Sequence, residues 1–251
     1  MKRITVLIPV LALVAGCGED TSAEAQTPNV APLCTEPTSI PCDDEAFETL
    51  NLNEVEPANA PIQNSPLSGF FQSSIDATAG GFGAQPQGAY VYGRFTDSGL
   101  ETVSLSDTEA LDSMDWDIAF QRFRIRLNSG TSGPSCVSAA RLPDTVEFAT
   151  LDAVPDSAVF RQENFFTSSC EAITDGGLGG PQLVLGGYFT YTGCLQMNGS
   201  VYAIQLADGR SVKFTVSSYY EAEAQAACNN ETGNFAPVGS ANFVINWAFM
   251  N

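Results

Sequence analysis

The chain has 251 residues, 44% of them hydrophobic, which is ample for one domain with its own core. Twenty-nine Asp and Glu stand against ten Lys and Arg, a formal charge of −19. That balance excludes nucleic-acid binding and purely electrostatic attachment to anionic membranes. There is no histidine, which removes Ser-His-Asp and Cys-His catalysis.

Lys2-Arg3 is a short basic segment, and residues 4–15 are an apolar run too short to span a bilayer. Val14-Ala15-Gly16-Cys17 resembles a bacterial lipobox. It predicts a signal peptide over residues 1–16, cleavage before Cys17 and a lipid on the Cys17 thiol. Gly18, not Asp, follows the cysteine, so the resemblance implies a lipid anchor in the outer membrane, on either face. Residues 17–65 read as an acidic, proline-rich tether, with Pro28, Pro32, Pro37, Pro41, Pro57 and Pro61 and few aromatics. Within it, residues 42–50 suggest a helical turn capped by Asp43 or Asp44.

The domain is predicted over residues 66–251. Strands are expected at 70–75, 89–95 and 100–105, the last two joined by the Asp97-Ser98-Gly99 turn. Ser106 with Glu109 predicts the capped start of a short helix over 109–113. Weaker strands are expected at 139–141, 146–150 and 182–185, and an aromatic one at 187–192. Residues 201–206 and 211–217 flank Asp208-Gly209, the strongest hairpin signal in the chain. Residues 219–227 have helix-forming composition. The closing stretch 242–250 alternates, with Phe243, Ile245, Trp247 and Phe249 on one face. Strands dominate, so the fold class is all-β, a single antiparallel domain with a few short helices.

Cys17 aside, Cys34, Cys42, Cys136, Cys170, Cys194 and Cys228 remain, an even number in an exported chain, and they predict disulfides. Fifteen pairings exist. Joining sequence neighbours gives the preferred set, Cys34–Cys42, Cys136–Cys170 and Cys194–Cys228. Without His or C-x-x-C spacing a metal site is not expected. Asp112, Asp115 and Asp117 lack the glycine and bidentate glutamate of a calcium loop and read as a solvated strand entry. Asp175-Gly176-Gly177-Leu178-Gly179-Gly180 runs into Pro181 and a strand, not a helix, so it reads as a loop without phosphate chemistry. No spacing selects a catalytic pair of carboxylates, and the chain is not expected to be an enzyme.

Trp116-Asp117-Ile118-Ala119-Phe120 alternates as a strand, with Trp116, Ile118 and Phe120 on one face. The phase then slips. Phe123, Ile125 and Leu127 continue the apolar face, with Arg122, Arg124 and Arg126 opposite, which predicts a β-bulge or sharp bend. Asn128-Ser129-Gly130-Thr131-Ser132-Gly133 ends the strand in turn chemistry. The three arginines suit anchoring of an anion by charge-assisted hydrogen bonds, or cross-strand pairing with Asp and Glu, and the second is favoured in so acidic a chain.

The W-D-I-A-F strand, the arginine strand and N-S-G-T-S-G together resemble the HmuY family of haem-binding bacterial lipoproteins. Residues 89–107, 201–220 and 241–250 resemble it in the same order, so the resemblance covers most of residues 65–251. It implies an all-β fold that holds haem between two axial side chains, often histidines. The implied partners are haem or a related porphyrin and, for uptake, an outer-membrane receptor. It also places one axial residue just before the V-Y-A-I strand, where Met197 is the best donor and Cys194 the alternative if its thiol is free. The second would fall near residues 155–170, where Cys170 is the one soft donor. The arginines Arg122, Arg124 and Arg126 would face the propionates. The competing assignment is a surface lipoprotein of the same fold that serves a structural or interaction role without haem.

Overall fold

A computed structural model describes residues 32–52, 54–79, 88–174, 181–230 and 238–251. The signal peptide, the Cys17 lipobox and the glycine-rich loop at 175–180 lie outside the described residues. In chain order the elements are α1 (Asp43–Leu50), β1 (Gln63–Leu67), β2 (Phe70–Asp76), β3 (Val91–Thr96), β4 (Gly99–Val103), α2 (Asp107–Ala110), β5 (Ile118–Gln121), β6 (Arg124–Leu127) and β7 (Ser138–Arg141). They continue with β8 (Phe189–Tyr191), β9 (Leu195–Met197), β10 (Val201–Gln205), β11 (Ser211–Ser218), α3 (Ala222–Asn229) and β12 (Asn242–Met250). The fold is all-β and antiparallel, with short helices.

One sheet has the order β1-β2-β12-β11-β10-β7, the other β4-β3-β5-β6, and β8-β9 is a separate ribbon. The two sheets share one core. Phe243, Ile245 and Trp247 of β12 meet Phe95, Ile118 and Phe120 of the smaller sheet. Ring centroids lie 4.9 Å apart for Phe95 and Trp247 and 5.4 Å for Phe120 and Phe243. The alternation expected at 242–250 supplies this face, and Asp208-Gly209 turns the β10–β11 hairpin.

The structure departs from the sequence pattern at several places. The phase slip after Phe120 is neither bulge nor bend in one strand. It is a hairpin, Gln121 pairing with Arg124 across a two-residue loop of Arg122 and Phe123, with Arg122 at φ 55°. Ile118 and Phe120 then sit opposite Leu127 and Ile125, so the apolar sets share one face by chain reversal. Trp116 does not join that face. It packs on the other side of the sheet with Tyr90, Tyr92, Ala119 and Phe165. Residues 146–150 form a single 3-10 turn over Phe148–Thr150, and 182–185 are not a strand. β1 lies across the expected tether boundary, with Pro66 tolerated because β1 is an edge strand.

From residue 32 onward the expected tether is packed on the domain. Ala46, Leu50 and Leu52 are fully buried against the second face of the smaller sheet. The disulfides explain how so polar a segment is held. They are Cys34–Cys136, Cys42–Cys170 and Cys194–Cys228, so the preferred pairing holds for the last alone. Pairing sequence neighbours fails because the N-terminal segment crosses the domain, which brings cysteines 102 and 128 positions apart into bonding range.

Candidate ligand-binding site

β3, β5 and β6 place Tyr92, Ala119 and Arg126 side by side in one row across the sheet. Because Ala119 is small, Arg126 reaches over it to the Tyr92 hydroxyl, to which it donates through Nη2. Its Nη1 donates to the Ser132 carbonyl at 2.8 Å. The guanidinium lies 4.5 Å from the Tyr90 ring centroid and 4.9 Å from that of Trp116. Tyr92 passes the interaction on, donating at 2.8 Å to Asp107, the first residue of α2. Burial raises the Asp107 carboxyl above its ordinary pKa, and the Arg126 charge opposes that shift.

Arg126 has no exposed surface. It is therefore neither an anion anchor at the surface nor paired across strands with an acid. The expectation treated the reverse face of the strand as solvent, whereas α1, α2 and residues 163–166 cover it. Arg122 sits in the hairpin loop, where its Nη1 donates to the Thr78 carbonyl at 3.1 Å. Arg124 is half-buried over the Phe123 ring. The three side chains do not form one ligand-facing row.

The N-S-G-T-S-G turn proves structural. Asn128 Nδ2 donates to the carbonyls of Ser113 and Trp116, and its Oδ1 accepts from Ser135 N. Gly130, at φ 56°, lies so close to Glu163 that a Cβ would collide with the Glu163 carbonyl oxygen. The Glu163 carboxyl is fully buried and accepts from Leu127 N at 3.1 Å and Val184 N at 2.9 Å. Burial pushes its pKa up to about 8 against those hydrogen bonds.

The expected axial donors lie on and beside the β8–β9 ribbon. Cys194 is bonded to Cys228 and offers no thiolate, and Cys170 is likewise committed to Cys42. Met197, the last residue of β9, is half-buried against the main core. Its backbone N donates to Asn229 Oδ1 at 3.0 Å, and Gln225 of α3 donates to the Leu195 carbonyl, so α3 and the disulfide pin this strand. Asn198, the next residue, donates through Nδ2 to the Gly187 carbonyl at 2.8 Å.

Gly187 lies on the rim of a cleft of about 560 Å³, within the size range of small-molecule sites. Its walls come from β7, β10 and the segments around residues 159–164 and 182–187. Arg141, Arg161 and Tyr202 line it, with Gln162, Asn164 and Gln182, and among the described residues no carboxylate does. Met197 is not among its lining residues. A second cleft of about 510 Å³, beside β2 and β12, carries Asp76 and Glu221 and, among the described residues, no basic side chain. Arg141, Arg161 and Tyr202 were not selected by sequence. The nearest hint was the strand expectation at 139–141, which contains Arg141. Among the described residues no cluster of His, Cys, Asp or Glu is arranged to hold a metal.

The model of the HmuY protein family matches residues 87–232, more than half of the chain. The chain belongs to the HmuY family. Among solved structures, this HmuY-family chain is similar to a Bacteroides vulgatus protein named as a candidate HmuY-like haem-binding protein. The two share 16% identity over 74% of this chain and 96% of that one, with a TM-score of 0.44. It is also similar to the apo HmuY analogue of Tannerella forsythia, at 16% identity over 76% and 97% of the two chains and a TM-score of 0.41. A candidate lipoprotein of Bacteroides fragilis shares 11% identity over 73% and 90%, with a TM-score of 0.40. No curated protein matches.

Proposed function

We propose that this HmuY-family protein is an exported, lipid-anchored binding protein that captures haem or a related porphyrin. The observation that carries the reading is the family match over residues 87–232, which takes in β3 to β11 and α3: the smaller sheet, the β8–β9 ribbon and strands β7, β10 and β11 of the larger sheet. The anchor is the lipid on Cys17, and the location is the outer membrane, where a receptor would take over the cargo. Among the described residues no helix is long and apolar enough to cross a membrane. The role is binding and not catalysis.

The donor set decides how iron is held. No histidine exists, and Cys170 and Cys194 are in disulfides. The buried Tyr202 phenol has its pKa raised to about 12, so it stays protonated and suits hydrogen bonding better than iron ligation. Met197 is the remaining soft donor at the ribbon. A thioether prefers ferrous iron, so binding is weak for ferric haemin and tightens on reduction.

Titrating haemin under oxidising and reducing conditions while following the Soret band tests this. Met197→Ala removes the gain on reduction, and Met250→Ala, on the far side of the larger sheet, leaves the haem spectrum unchanged. No saturable Soret shift in either state overturns haem capture. It would leave an interaction lipoprotein of the same fold in its place.

A further inference from the structure

In a chain with nearly three acids for every base, a cleft whose lining among the described residues holds two arginines and no carboxylate is a local reversal of charge. The sheet register creates it. Tyr202 of β10 sits directly opposite Arg141 of β7. Ala139, on the same face two residues earlier, forms an isolated bridge with Arg161, with backbone hydrogen bonds of 3.0 and 2.9 Å. Three residues far apart in sequence thus point into one space.

The heads of Tyr202 and Arg141 converge, and Arg161 lines the same cleft. The point where a Cβ would stand on Gly187 is 3.3 Å from the Tyr202 hydroxyl and 3.7 Å from Arg141 Nη1. Arg141 Nη2 is held from outside by Asp144 at 3.1 Å, which turns Nη1 towards the cleft. Tyr202 is fully buried, yet among the described residues its hydroxyl makes no hydrogen bond. Ser200 and the Gly187 backbone are its polar neighbours, and Ser200 Oγ donates to the Gly187 carbonyl at 3.2 Å. A buried hydroxyl without a partner is destabilising, and such groups call for an explanation. Burial also keeps this phenol protonated, a standing donor beside the Arg141 guanidinium.

We propose that Arg141, Arg161 and the Tyr202 hydroxyl form a carboxylate-recognition point in this cleft, which grips one acidic arm of the bound ligand. The arginines supply charge and the phenol a directed hydrogen bond. This deepens the porphyrin reading and rests on it, since the acidic arm is then a propionate. The site uses neither iron nor Met197.

Metal-free mesoporphyrin and its dimethyl ester, titrated into the full-length protein by tryptophan fluorescence quenching, separate the two claims. Wild type binds the free acid about tenfold or more tightly than the ester, the size of one hydrogen bond to a charged group. Tyr202→Phe and Arg141→Gln each narrow that preference. Tyr202→Phe does so with an unchanged or raised melting temperature, because it deletes an unpartnered hydroxyl and breaks no hydrogen bond. A fall in melting temperature with the preference intact would make Tyr202 structural and overturn the site. Equal binding of acid and ester by wild type overturns the recognition point and leaves porphyrin capture standing. Saturable binding of neither overturns the porphyrin reading itself.

Discussion

Arg126 shows how one residue type changes meaning with depth. On an exposed strand face it would be a ligand anchor. Under α1 and α2 it is the centre of a polar cluster with Tyr92, Asp107 and Ser132, sealed by Trp116 and Tyr90. Removing it strands Asp107 in a buried site, so Arg126→Ala is expected to cost about 3–5 kcal/mol in urea unfolding. Glu163 carries a pH dependence of opposite character to an ordinary ion pair. Its folded pKa of about 8 lies above its unfolded value, so the native state binds the extra proton. Its contribution is full below the unfolded pKa, near 4, and is lost as pH rises through about 8. Asp117, raised by burial to about 6, acts with the same sign over a lower range. Stability therefore falls between pH 5 and 8, and Glu163→Gln flattens most of that slope. A slope unchanged in the variant would assign it elsewhere.

Among elements, the β5–β6 hairpin was hidden because its loop is Arg122-Phe123, with no Asn, Asp or Gly to mark a turn. The strands themselves were legible from alternation, as was the Asp208-Gly209 hairpin from its turn residues. The disulfides were legible as a set and not as a wiring, since connectivity depends on where an irregular segment crosses the domain. The ligand cleft was illegible for a related reason. Arg141 and Tyr202 become neighbours through β7–β10 register, and Arg161 through a single bridge, which no local pattern announces. The Cys34–Cys136 and Cys42–Cys170 bonds each close a loop of more than 100 residues. In the loop-entropy model each contributes about 4–5 kcal/mol. Replacing Cys42 and Cys170 together by serine is expected to expose α1 to amide hydrogen exchange before β11 and β12, and uniform exchange would contradict a local staple.

At the scale of the molecule, the proposed lipid on Cys17 would hold an acidic body at a membrane that its charge would otherwise avoid. Cys17→Ser is therefore expected to move the protein from the membrane fraction to the soluble one, and its retention would refute the lipid anchor. The described portion from residue 32 is folded onto the domain, so less of the chain serves as spacer than its composition suggested. What the domain holds is tested most directly by isothermal titration of reduced haem into the purified protein. One saturable site per chain is expected, tighter than for ferric haemin and weakened in Met197→Ala. Heat that never saturates, or saturates at several sites alike in wild type and variant, would contradict it.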